Sequence, residues 1–143
     1  MGTFKIILPG NTPSLKNSKQ LITIEATGKK KLVPSKTYNN WKPAALKALY
    51  ETYGDFRHKS WRYPLRISFH FIRANRHAHD YINSAQGPLD LLIEAGIIED
   101  DDTLHVIPGE FSSQHNPSAA CCILTIQEWG NYERKQWIDG NYQ

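Results

Sequence analysis

The stretch HDYINSAQGPLDLLIEAGIIEDDD, residues 79–102, decides how this chain is read. Apolar residues at Ile82, Ala85, Leu89, Leu92 and Ile93 recur at spacings of three and four. That spacing puts one stripe on a helix and leaves Asn83, Gln86, Asp90 and Glu94 facing outward. Asp80 stands where a carboxylate can cap the first free amides, and Gly96 where a helix end favours a residue able to take positive φ. Pro88 lacks an N–H and clashes with the carbonyl four residues back. Either the helix kinks there, or Gly87 and Pro88 mark a late start.

Four carboxylates, Glu99 to Asp102, close the stretch. Neighbouring anions must stay solvated, take up protons or share a cation, and hard oxygen donors of this kind suit Mg²⁺ or Mn²⁺. Charge runs are more often only solvated, so the run by itself reads as an acidic turn between a helix and a strand.

Upstream, PLRISFHFIRA (64–74) alternates Leu65, Ile67, Phe69 and Phe71 with Arg66, Ser68, His70 and Ile72, the mark of a strand with one buried face. Arg73, Arg76, His77 and His79 crowd its end. A strand that finishes in basic residues and delivers Asp80 suits a phosphate held beside a metal. The histidines are either ligands or solvated loop residues.

FKIILP (4–9) is a short β-rich run ended by Pro9 and Gly10, a first strand. The loop NTPSLKNSKQ follows, with Lys16, Asn17 and Lys19 able to donate to phosphate oxygens or to form a polar turn. QLITIEATGKKKLVPS reads as a hairpin turning at Thr27 and Gly28, with Lys29, Lys30 and Lys31 at its tip. These lysines solubilise the tip or reach along a DNA arm. From Ser35 to about Tyr53 the pattern is helical, Ser35 or Thr37 being candidate caps. Trp41, Ala45, Leu49 and Tyr53 repeat every four residues as a core stripe, and Pro43 falls near the start.

The segment GDFRHKSWRYP, rich in aromatics and basics, either stacks on unpaired bases or packs over the core. After the aspartates come TLHVIPGEF and AACCILTIQEW, two strands. The second is a near-continuous apolar run that belongs centrally in the sheet, with Cys121 and Cys122 as buried strand residues rather than a disulfide. The fold expected is mixed α/β in two layers, a mainly antiparallel sheet with two helices on one face.

At 143 residues and 40% hydrophobic, the chain suits one domain over residues 1–130 with a polar tail at 131–143, peripheral to it. No apolar run is long enough for a membrane span and no basic-plus-apolar leader is present, so the expected place is the cytoplasm, with no membrane partner.

The net charge of +3 conceals a division. Residues 1–76 carry 15 Lys and Arg against three acids, and residues 77–143 carry two against 11. A basic surface attracts polyanions by releasing their counterions, whereas an acidic pocket beside it repels phosphate unless a divalent cation sits there. The two halves also simply neutralise each other if they meet across the fold or a dimer interface.

Asp-Tyr-Ile-Asn at 80–83, the helix LDLLIEAG and the closing IIEDDD together resemble the RusA family of Holliday junction resolvases, endonucleases of phages and prophages. Asp80 and Asn83 match that family's Asp-x-Asp-Asn motif, Asp90 its helix aspartate, and Asp100 with Asp101 its closing pair. Pro13, Ser14 and Asn17 match its Pro-Ser-x-Asn segment, so the resemblance spans most of residues 4–127. Two positions depart from it: Ile82 replaces the second aspartate of the motif and Gln86 replaces a lysine.

The resemblance implies a Mg²⁺-dependent endonuclease, with Mn²⁺ able to substitute, that acts as a homodimer on branched DNA such as a four-way junction. Asp80, Asp100 and Asp101 would be catalytic, with Asp80, Asp101 and Asp102 at the metal. Lys16, Asn17, Lys19, Lys30, Arg73 and Arg76 would contact DNA. Asp102 or Glu110 would stand in for the missing carboxylate, and Lys16, Lys19 or Arg76 for the missing cation. If nothing substitutes, the chain is expected to bind junctions without cutting them.

Geometry sets a condition. Fifteen residues of helix at ~1.5 Å each would part Asp80 from Asp101 by roughly 20 Å, whereas Mg²⁺ ligands lie about 2 Å from the ion. A shared metal therefore needs a short, kinked helix, a following loop that doubles back, or an Asp101 from a second chain.

Overall fold

The computed structural model describes residues 2–15, 19–23, 27–34 and 36–128. Its elements are β1 (Thr3–Pro9), β2 (Lys19–Thr23), β3 (Lys30–Pro34), α1 (Lys36–Thr52), β4 (Leu65–Arg73), α2 (Tyr81–Glu94), β5 (Val106–His115) and β6 (Cys121–Glu128), with a 3₁₀ turn at Gly54–Phe56. The main sheet has the order β1-β6-β4-β5, and β2 and β3 form a separate hairpin. β6 pairs antiparallel with both β1 and β4, whereas β5 runs parallel to β4. The sheet is therefore mixed. A parallel pair needs a crossover, and α2 supplies it.

Alternation along the strands decides which face is covered. Ile6 and Leu8, Ile67, Phe69 and Phe71, and Cys122, Leu124 and Ile126 are all buried and join one core with Trp41, Ala45 and Leu49 of α1 and Leu91 and Leu92 of α2. Both helices lie on that face. β6 has neighbours on both sides, the central place its apolar run called for. Cys122 is fully buried and Cys121 half-buried, both as free thiols.

α1 runs through Pro43 without ending, and the helix begins at Lys36, so the proline sits in its second turn and not at its start. Thr37 lies inside α1 and not at its cap. The other candidate, Ser35, falls outside the described residues. Tyr53 closes the stripe by accepting a hydrogen bond on its hydroxyl from the Ile7 amide at 2.9 Å.

α2 corrects two expectations. It is continuous from Tyr81 across Gly87 and Pro88, so there is no late start. Its buried residues are Ser84, Ala85, Gly87, Pro88, Leu91 and Leu92, while Ile82 is 74% exposed. The stripe expected through Ile82 is rotated because the small side of α2 meets α1: a Cβ on Gly87 would stand 3.2 Å from the Trp41 ring. Close approach, rather than hydropathy, sets the buried face here. Gly96 has φ +74°, the left-handed conformation that ends the helix as expected.

β5 also begins later and runs further than TLHVIPGEF suggested. Residues 103–105 belong to the turn before it, where the amides of His105 and Val106 donate to the Asp102 carbonyl. The aromatic loop packs on the core: Phe4 and Trp61 ring centroids are 5.2 Å apart and Trp61 Nε1 donates to the Ile97 carbonyl at 2.8 Å. Among the described residues no helix is long and apolar enough to cross a membrane.

Candidate metal and phosphate site

Asp80 begins the site. Its Oδ1 accepts from the amides of Ile82 at 2.9 Å and Asn83 at 3.2 Å, which caps α2 and turns the carboxylate to the helix it starts. Asp80→Ala should lower stability by about 1 kcal/mol, read as a fall in melting temperature, whereas Asp80→Asn should keep most of the cap. Beside it, His79 Nδ1 lies 3.2 Å from Ser84 Oγ and its ring packs edge-on against Phe71 and Tyr81. Burial, and then the Arg73 charge, push the His79 pKa down, so the imidazole is disposed to be neutral. His77 is exposed.

Arg73 is turned inward. Its guanidinium donates to the Thr12 carbonyl, and the following amide, of Ala74, donates to Asn11 Oδ1 at 2.8 Å. Arg73 thus tethers the loop that leads to Lys16, and burial lowers its pKa. Arg76 is exposed. Lys16 and Asn17 lie outside the described residues. Lys19 starts β2 and Lys30 starts β3, so they stand at opposite ends of the hairpin, Lys19 opposite Pro34 and Lys30 opposite Thr23.

The acidic loop doubles back along α2. Gln86 Nε2 donates to Asp90 Oδ1 at 2.7 Å and to Asp101 Oδ2 at 3.4 Å, which joins two carboxylates eleven residues apart in sequence through one amide. Burial raises the Asp90 pKa, and the charge of Asp101 adds to the rise against the opposing Gln86 hydrogen bond and the Lys42 charge. Of the three geometries that would bring Asp101 toward the start of α2, the returning loop is the one seen, within one chain.

The return is partial. Asp80 lies six residues before Gln86, about 9 Å along the axis and about 120° round the helix.

A second cluster lies on the same loop. His105 Nδ1 is 2.6 Å from Asp102 Oδ1 and its Nε2 is 3.3 Å from Glu99 Oε2, while Asp102 Oδ1 also accepts from the Leu104 amide. Asp100 Oδ1 accepts from the Asp101 amide at 2.7 Å. Among the described residues, one donor atom each from Asp100, Asp102 and His105 come within 4.8 Å of one another. His105 was missed in the sequence. Its spacing of three from Asp102 across a turn was the available signal.

The Asp102 hydrogen bond raises the His105 pKa above 6.5, and the same bond lowers that of Asp102 below 3.8. A raised histidine stabilises the fold below its unfolded pKa and loses that contribution as pH rises through the folded one. A lowered aspartate stabilises above its unfolded pKa and loses the contribution as pH falls through the folded one. Both are present between about pH 3.8 and 6.5. The melting-temperature gap between wild type and His105→Gln should be widest in that window and shrink on either side of it.

Set against protein-family models and curated proteins, the sequence gives no match. The functional reading therefore rests on the geometry of these side chains and on the motif resemblance.

The donor types allow a choice of cation. Asp90 and Asp101 offer only hard oxygens, which fit Mg²⁺. The Asp100, Asp102 and His105 set includes an imidazole, more suited to Mn²⁺ or a later metal, and there a proton on His105 competes.

Proposed function

We propose that this chain is a Mg²⁺-dependent endonuclease acting on branched DNA. The observation that carries the reading is the Gln86 bridge, which sets Asp101 of the acidic loop against Asp90 of the helix, two carboxylates held by one amide. Asp101 and Asp90 would hold the ion, with Asp100 and Asp102 flanking them and Asp80 at the start of the same helix. Bound there, Mg²⁺ supplies Lewis acidity toward a phosphate oxygen and makes bound water easier to deprotonate. The segregation of 15 basic residues into the first 76 supports a polyanionic substrate. Arg73 holds the Thr12 carbonyl, and exposed Arg76 would meet a phosphate beyond the end of β4. A homodimer would present two such sites to the two strands of a junction.

The test is cleavage of a synthetic four-way junction in Mg²⁺ or Mn²⁺. Paired symmetric nicks support the reading, and their absence under both metals, at protein concentrations that saturate the junction, overturns it.

A second reading has its own observation. Ile82 is 74% exposed beside Asp80, and a neutral amide at Gln86 occupies the place between two acids where a lysine would bring a charge. On this reading the protein grips junctions without cutting. Restoring both groups in Ile82→Asp/Gln86→Lys should then switch on Mg²⁺-dependent nicking from a silent background. If the wild type already cuts, the same double variant should change the rate by no more than about 100-fold, since an added charge-assisted contact is worth about 1.5–3 kcal/mol and the substitution also removes the Gln86 bridge.

A further inference from the structure

The turn after α2 is bordered by a recess of about 390 Å³ whose lining includes His58, Tyr63, Ile97, Ile98 and Glu99. It is separate from the Asp90 and Asp101 pair yet touches it through the loop, because Glu99 lies two residues before Asp101. Its size falls in the range of small-molecule sites.

The walls are fixed. His58 has φ +58°, unusual for a residue with a side chain, and its amide donates to the Gly96 carbonyl at 2.7 Å. Its ring lies on Gly96, where a Cβ would stand 3.0 Å away. Arg57 Nε holds the Ala95 carbonyl at 2.9 Å, and Tyr63 accepts the Glu99 amide on its hydroxyl at 3.1 Å. Ile97 and Ile98 are 1% and 3% exposed and present an apolar floor.

Electrostatics narrows the occupant. The recess sits at the C-terminal, negative end of α2, and the Glu99 carboxylate stands at its rim with a side chain 74% exposed. Lys59, also on its border, stacks its ammonium over the Phe4 and Trp61 rings, 5.1 and 5.2 Å from their centroids. A group with an apolar face and an N–H donor on its edge suits the isoleucine floor and the Glu99 carboxylate.

Two residues of extended chain span at most ~7 Å, about two stacked base steps at ~3.4 Å. A base next to a phosphate at Asp101 would reach the recess. Resting on the reading of the protein as acting on branched DNA, where unpaired bases occur, we propose that this recess receives one unpaired nucleobase carrying an exocyclic amine. The base lies against Tyr63 and His58 and donates its amine to Glu99.

The test has two arms. In the first, the ¹⁵N-labelled full chain is titrated with adenosine, cytidine and guanosine at millimolar concentration, with thymidine as the amine-free control. The amides of Ser60, Gly96, Ile98 and Glu99 should shift saturably with the three amino-bearing nucleosides and about tenfold more weakly with thymidine. Glu99→Gln should erase that preference. Ser60→Phe, at an exposed position on the mouth, should abolish the shifts while the rest of the spectrum stays folded. In the second arm, a junction with 2-aminopurine at the branch should brighten on binding wild type, and bind Ser60→Phe without brightening.

Junction binding with no response of nucleoside or 2-aminopurine overturns the recess and leaves the DNA reading standing. Equal shifts with thymidine, or shifts that persist in Ser60→Phe, overturn it too. Nucleoside shifts without any junction binding sustain the base recess and remove the DNA reading.

Discussion

Asp101→Asn is expected to cut a four-way junction at least ~100-fold more slowly than wild type while binding it with similar affinity. Loss of one group that stabilises developing charge in a transition state commonly costs two to three orders of magnitude. Asparagine keeps the shape and an oxygen for the Gln86 amide, so the loop should stay in place. Only the charge is withdrawn. Single-turnover cleavage beside fluorescence anisotropy separates the two effects. Normal cutting by this variant would move the metal to Asp100, Asp102 and His105, and the same assay on His105→Gln would then show the loss. Asp80→Asn makes the companion variant, because asparagine caps a helix about as well as aspartate and a fall in rate could not be assigned to an unravelled α2.

The largest expected effect on stability is at Phe71. Its side chain is fully buried, in a strand with neighbours on both sides, and its ring lies 6.0 Å from Phe69, 5.7 Å from His79 and 6.2 Å from Tyr81. Phe71→Ala removes that packing and leaves a cavity, at a cost of about 3–5 kcal/mol. For a chain of this size each kcal/mol moves the midpoint by roughly 3 °C, so melting should fall by about 10–15 °C. Thermal or urea unfolding followed by circular dichroism reads it. A fall of less than about 1 kcal/mol would mean that the core closes over the gap or that Phe71 is less enclosed than its place between the strands implies.

How far the residues announced this structure depends on the kind of signal. Leu65, Ile67, Phe69 and Phe71 alternate in β4 as they alternate in the sequence, because one face of the sheet is covered and period two is all that a strand requires. The Trp41, Ala45 and Leu49 stripe held for the corresponding reason on a helix. At α2 the hydrophobic period misled. Ile82 fits the stripe by spacing and still lies in solvent, since contact with Trp41 selects the side that carries Ser84, Gly87 and Pro88.

The cap at Asp80 and the turn at Gly96 are local chemistry and were readable. The meeting of Asp101 with Gln86 was not, because it depends on how a loop returns across a helix, and no periodicity encodes that. The parallel pairing of β4 with β5 was hidden likewise, since strand order is set by which faces the intervening helix can cover. His105 offered one signal, its spacing of three from Asp102, but its contact with Glu99 depends on how the loop folds.

One of the two inner strands of the sheet is also the last of the described strands in chain order. β6 (Cys121–Glu128) separates β1 from β4, so until the ribosome has released residue 128 those two strands have no partner between them. During synthesis the nascent chain must carry open strand edges and the apolar faces of Ile6, Leu8, Phe69 and Phe71 for most of its length. Any break before Cys121 leaves the same exposed surface permanently. The final eight residues of the described fold therefore act as its keystone: a nonsense mutation just upstream of them should yield an aggregating chain rather than a shortened domain.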